Sequence, residues 1–110
     1  MNWIDIGHIE EVPLRGARVL KTPVGCIAVF RTGEAEIFAA SNSCPHKQGP
    51  LSEGIVHGQS VTCPLHNWVF DLNTGEAQGS DDGRIDVYPV RLEHGRILID
   101  GDAIGQRSAA

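Results

Sequence analysis

Two short segments hold the residues best suited to chemistry: Cys44-Pro45-His46 and Cys63-Pro64-Leu65-His66, with 16 residues between them. Together they supply two thiolates and two imidazoles, one sulfur and one ring nitrogen from each segment. Loops built this way can sort their ligands by type between two metal atoms. That is the ligand pattern of a [2Fe–2S] centre in which two cysteines hold one iron and two histidines hold the other. Zinc is the competing metal, because two cysteines and two histidines also make structural zinc sites. A zinc finger, however, groups its cysteines together and sets its histidines close together on a helix. Here each pair is mixed, and a proline after each cysteine disfavours a helix through either segment. The expected chemistry is transfer of one electron at a time.

Such loops need a scaffold that brings them side by side. Short β-rich runs bounded by Gly and Pro recur along the chain, and no long stretch repeats its apolar residues every 3.6 positions. The expected strands are Trp3–Ile6, Ala17–Thr22, Cys26–Arg31, Glu36–Ser41, Ile55–His57, Ser60–Cys63, Trp68–Asp71, Ile85–Glu93 and Arg96–Ile99. Turns are expected at Arg31-Thr32-Gly33-Glu34, His57-Gly58-Gln59 and Glu93-His94-Gly95-Arg96, each placing a glycine where a hairpin needs positive φ. The fold class is therefore all-β, with small packed antiparallel sheets and two cluster-binding loops. A hairpin of Ile55–His57 and Ser60–Cys63 joins the loops and brings them to one end of a sheet. Residues 1–100 are expected to form the iron–sulfur domain, and residues 101–110, small and polar, a loose tail.

Bulk properties narrow the function. A chain of 110 residues can bury one modest core. Its net charge of −5 argues against a nucleic acid partner, which needs clustered Lys and Arg. No apolar run is long enough to span a membrane, and a soluble, cytoplasmic protein is expected. Of the three cysteines, Cys26 lies in the apolar run Val24-Gly25-Cys26-Ile27-Ala28-Val29-Phe30 and is expected to be a buried, inert thiol. His8, His57 and His94 lack ligand spacing and are expected at the surface. Trp68 and Phe70 read equally as a shield over the cluster or as core strand residues. Gln78-Gly79-Ser80-Asp81-Asp82-Gly83 reads as a surface turn. No nucleophilic triad, phosphate loop or dinucleotide fingerprint is present, so catalysis by this chain alone is not expected.

The ligand pattern resembles that of Rieske-type proteins. High-potential members supply hydroxyls two and four positions after the second histidine, where this chain has Trp68 and Phe70, and a loop-to-loop disulfide, where it has Gly49 and Leu65. Hydrogen bonds to the sulfurs stabilise the reduced state. Their loss predicts a midpoint near the low end of the range, roughly −150 mV or somewhat above. Exposed imidazole ligands that bind a proton more tightly on reduction would also make that midpoint fall at alkaline pH.

The stretches Cys44-Pro45-His46-Lys47-Gln48-Gly49-Pro50-Leu51-Ser52-Glu53-Gly54-Ile55-Val56 and Cys63-Pro64-Leu65-His66-Asn67-Trp68-Val69-Phe70-Asp71-Leu72-Asn73-Thr74-Gly75-Glu76-Ala77 resemble the small subunit of assimilatory NAD(P)H-dependent nitrite reductase. Tyr88-Pro89-Val90-Arg91 and Gly95-Arg96-Ile97 fit the same family. The resemblance implies a large partner subunit carrying flavin, a [4Fe–4S] cluster and sirohaem, which reduces nitrite to ammonium, with this chain as its electron-transfer subunit. Two other roles compete. One is a free Rieske ferredoxin supplying electrons to a ring-hydroxylating oxygenase. The other is a structural or regulatory subunit whose cluster only organises the loops.

Overall fold

The computed structural model describes residues 2–42, 50–64, 68–78 and 83–104. Among the described residues ten strands follow one another with two short 3-10 turns: β1 (Trp3–His8), β2 (Ala17–Thr22), β3 (Gly25–Gly33), β4 (Glu36–Ser41), β5 (Ile55–His57), β6 (Ser60–Thr62), β7 (Val69–Asp71), β8 (Val87–Tyr88), β9 (Val90–Glu93) and β10 (Arg96–Asp100). The 3-10 turns are Ile9–Glu11 and Leu51–Glu53. All pairing between strands is antiparallel, in three sheets ordered β1-β10-β9, β2-β3-β4-β8 and β5-β6-β7. The all-β expectation holds.

The middle sheet, β2-β3-β4-β8, explains the long apolar run in β3. Ile27, Val29, Ile37 and Ala39 pack with Ile97 and Ile99 of the first sheet. Ala28, Phe30 and Ala40 pack with Val56, Val61 and Phe70 of the third. Successive side chains of a strand point to opposite faces, so a strand covered on both sides has no polar alternation to show. The molecule has three layers, and the hairpin unit β5-β6-β7 forms one outer layer.

Several expectations are refined. Ile85–Glu93 is not one strand. Pro89 has no N–H to continue a ladder, and the chain changes sheets there: Val87–Tyr88 pair with β4, while Val90–Glu93 pair with β10. Gly33 does not take up positive φ. It lies at the end of β3, the register slips between Arg31 and Gly33, and the turn falls on Glu34–Ala35. Gly58, at φ 57°, meets the expectation. In the β9–β10 turn both His94 (φ 51°) and Gly95 (φ 79°) are left-handed, the backbone that twists two strands into a tight hairpin.

Residues 101–104 of the expected tail are packed against the fold. The Gly101 N–H donates to the Asn2 carbonyl at 2.7 Å, and Ile104 is buried in the core shared by the first two sheets. An isoleucine with a core to enter does not remain in solvent. Residues 105–110 lie outside the described residues. Cys26 is also corrected: it is exposed. It pairs with Lys21 beside the open β2–β3 turn, and burial along β3 begins only at Ile27. His57 and His94 are exposed as expected. His8 is half-buried, and its Nδ1 accepts the Glu10 N–H at 3.1 Å to cap the first 3-10 turn.

Candidate metal centre

The roots of the two segments expected to carry ligands lie at the same end of the scaffold. β5 and β6 pair Ile55 with Thr62 and His57 with Ser60, and β6 and β7 pair Thr62 with Val69. Cys63 thus stands where β6 ends. Its N–H donates to the Trp68 carbonyl at 2.7 Å, which closes the loop of residues 64–67 at its base. The Cys63 side chain is fully buried and forms no disulfide. It lies in the apolar cluster that holds Leu51, Val61 and Phe70, with Trp68 packed against that cluster.

The other loop starts from the end of β4. The Asn42 N–H donates to the Cys26 carbonyl at 3.0 Å, and the Leu51 N–H donates to the Asn42 carbonyl at 2.7 Å. The Ser52 N–H donates to Asn42 Oδ1 at 2.8 Å. Asn42 and Leu51 are therefore held together at one point. Leu51 anchors that point in the core shared with Cys63. Gly54 brings the segment against the ligand strand: a Cβ there would stand 2.2 Å from the Thr62 carbonyl oxygen. Only a residue without Cβ permits so close an approach. The Thr62 hydroxyl is itself 2.7 Å from His57 Nε2.

Of the four sequence-selected ligands, Cys63 is placed as a buried thiol at a loop root. Cys44, His46 and His66 lie outside the described residues, as do Gly49 and Leu65. Among the described residues no three His, Cys, Asp or Glu gather in a way that could hold a metal. The part of the site that is described nevertheless suits a [2Fe–2S] cluster. A buried, unpaired thiol beside an aromatic ring gives a soft ligand in a low-dielectric wall, and Leu51, at the root of the other segment, shares its core. When bound, the cluster would supply one-electron redox chemistry.

Phe70 proves to be a core residue, fully buried in β7. Trp68 is half-buried at the loop base, its ring 6.2 Å from that of Phe70. Residues 79–82 of the expected surface turn lie outside the described residues; Gln78 is anchored, its Nε2 donating to Ser60 Oγ at 3.1 Å. An open groove of about 320 Å³ lies between the far ends of β4 and β7 and the β8–β9 crossing, lined by Ile37, Leu72, Tyr88 and Val90. Burial, aided by Asp86, raises the Tyr88 phenol above its ordinary value and keeps it neutral. Asn42 is the residue that sequence reasoning missed. Its partner is ten positions away and lacks a characteristic type, so no spacing marks it.

Comparison with known proteins agrees with this reading. A model of the Rieske-like [2Fe-2S] domain matches residues 2–100. The ferredoxin component of a naphthalene 1,2-dioxygenase system from Pseudomonas aeruginosa is 35% identical, covering 89% of this chain and 94% of the relative. The anthranilate 1,2-dioxygenase ferredoxin subunit of Burkholderia cepacia is 39% identical over 88% of this chain and 90% of its own length. Among solved structures, the ferredoxin of Sphingomonas yanoikuyae B1 superposes with a TM-score of 0.78 at 28% identity, covering 90% of this chain and 98% of that one. A structure from Mycobacterium tuberculosis, provisionally assigned as an NADH-dependent nitrite reductase small subunit, gives 0.79 at 24% identity, covering 99% and 97%; at that identity the likeness speaks to fold alone. No helix among the described residues is long and apolar enough to cross a membrane. The chain belongs to the Rieske-like [2Fe-2S] domain family, and it is an electron-transfer domain built around a [2Fe-2S] cluster.

Proposed function

We propose that the chain is the ferredoxin component of a ring-hydroxylating dioxygenase system, carrying single electrons from a reductase to the terminal oxygenase. Cys44 and Cys63 are assigned to one iron of the cluster, and His46 and His66 to the other. The observation that carries this reading is length together with likeness. Dioxygenase ferredoxins match at 33–39% identity with 90% or more of their own length covered, so their whole architecture corresponds to this chain. Small carriers of this kind bind a partner briefly and bring no substrate pocket of their own.

A second reading is the small subunit of NAD(P)H-dependent nitrite reductase. It draws on the loop residues Lys47-Gln48-Gly49-Pro50-Leu51 and Asn67-Trp68, and on structural neighbours of that description whose identity is below 25%. One experiment separates the two. The reduced chain is mixed anaerobically with a dioxygenase terminal oxygenase or with a sirohaem nitrite reductase large subunit, and the paramagnetic signal of the reduced cluster is followed. Rapid loss with the oxygenase alone supports the ferredoxin reading. Loss only with the sirohaem subunit, and copurification with it, establishes the second.

A further inference from the structure

The first ligand loop is held by a residue that is not itself a ligand. We propose that Asn42 is a positioning residue for the cluster: it ties together the roots of the first cysteine–histidine segment, Asn42 on one side and Leu51–Ser52 on the other, in the core that also holds Cys63. The proposal rests on membership of the Rieske-like family, not on which partner the chain serves.

Asn42 makes three bonds at the loop base. Two are backbone bonds, to the Cys26 carbonyl and from the Leu51 N–H, and would survive any substitution that keeps the backbone. The third is specific to the side chain: Oδ1 accepts the Ser52 N–H at 2.8 Å. That bond fixes the second residue of the Leu51–Glu53 turn, one of whose neighbours is the buried Leu51 and the other the start of the Gly54 approach to Thr62. Two residues beyond Ser52, Gly54 passes close against the Thr62 carbonyl, and Thr62 is the residue before Cys63. A cluster is rigid and requires its four ligands at fixed separations, so a device that fixes the distance between two loop roots acts directly on how well it is held. The acceptor must sit at the reach of an Asn or Asp side chain. Alanine has none, and glutamine carries it one methylene further out.

Asn42→Ala and Asn42→Asp in the full chain test this. The readouts are the rate at which visible absorption is lost to an iron chelator, and the g values of the reduced cluster. Asn42→Ala is expected to lose its cluster about tenfold faster than the parent and to shift the g values of what remains. Asn42→Asp, which keeps the acceptor, is expected to retain the parent g values and a loss rate within about twofold. Unchanged loss and unchanged g values in Asn42→Ala overturn the proposal. So does a lowered unfolding temperature with a parent-like cluster signal, which would make Asn42 a fold residue only. Should Asn42→Ala emerge without iron, Asn42→Asp decides: a parent-like signal supports the proposal, and an iron-free Asn42→Asp overturns it.

Discussion

The two outer layers of the molecule are built on opposite plans. The β1-β10-β9 sheet joins strands of four to six residues and is laced at its surface by Arg96 bonded twice to Asp5, by Arg91 over the Trp3 ring at 5.4 Å, and by a capped 3-10 turn. The β5-β6-β7 layer has strands of only three residues, and its order comes from loop roots: Asn42 with Leu51 and Ser52, Gly54 against Thr62, Cys63 with Trp68. Strands that short do not hold themselves. One layer adds a longer ladder and surface contacts to the core it shares with the middle sheet. The other depends on the core beneath it and would gain further from a bound [2Fe-2S] cluster, because metal binding adds directly to folding free energy.

The largest test of that difference removes a ligand. Cys63→Ser or His66→Ala is expected to abolish the visible absorption and the reduced-state paramagnetic signal. Hydrogen exchange on the cluster-free chain should then show Val56, Val61 and Phe70 losing protection while Ile97 and Ile99 keep it. Equal losses in both layers would break the comparison.

Phe30→Ala comes next. Phe30 is fully buried in the cluster under the metal-bearing layer, and truncation there should cost about 3–5 kcal/mol. Denaturant titration of the cluster-free variant measures it, and a loss below about 1 kcal/mol would deny that the middle sheet supports this layer. Gly54→Ala is smaller, about 1–3 kcal/mol, because its Cβ would meet backbone, which has to shift. Its signature is faster cluster loss with the first sheet's exchange unaltered. Redox titration gives a further check: a midpoint near the low end, roughly −150 mV, is expected where Trp68 and Phe70 replace hydroxyl donors, and a value above about +100 mV contradicts it.

The smallest effect belongs to the ladder-held sheet. The Arg96 guanidinium, then the Gly7 N–H, hold the Asp5 carboxyl below its ordinary value of 3.8. The contribution of this pair is present above that value and fades as pH falls through the lowered pKa. Asp5→Asn should leave unfolding at neutral pH nearly unchanged, since the pair is exposed. Below pH 3.8 it should make the acid fall in stability shallower. A large loss at neutral pH would show the pair to be more than a surface contact.

Much of this was legible in the residues themselves. β2, β4 and β5 have the limits that alternation and turn chemistry indicate, and the hairpin that joins the ligand loops pairs as expected. What escaped depended on partners distant in sequence. Pro89 was visible, but that it hands the chain from one sheet to another follows from which edges were open. Cys26 looks buried because its neighbours are, yet it lies past the point where the core covers β3. Ile104 sits in a polar tail and reads as loose until a core offers it a place. On the site, one ligand position, Cys63, is seen as a buried thiol. The clamp at Asn42 has no sequence signature, because a side-chain acceptor for a distant N–H can be supplied by several residue types.

β1 and β10 pair Trp3 with Asp100, and Gly101 bonds back to Asn2. Entry and exit of the polypeptide therefore lie together on one outer sheet, with the middle sheet between them and the metal-bearing layer. A module wired in this way tolerates a fusion partner at either terminus, or splicing into a host protein, without disturbing its electron-carrying tip. The same closure would let a linker run from beyond Ile104 back to Asn2, with the chain reopened at the Glu34–Ala35 turn, in a circular permutant.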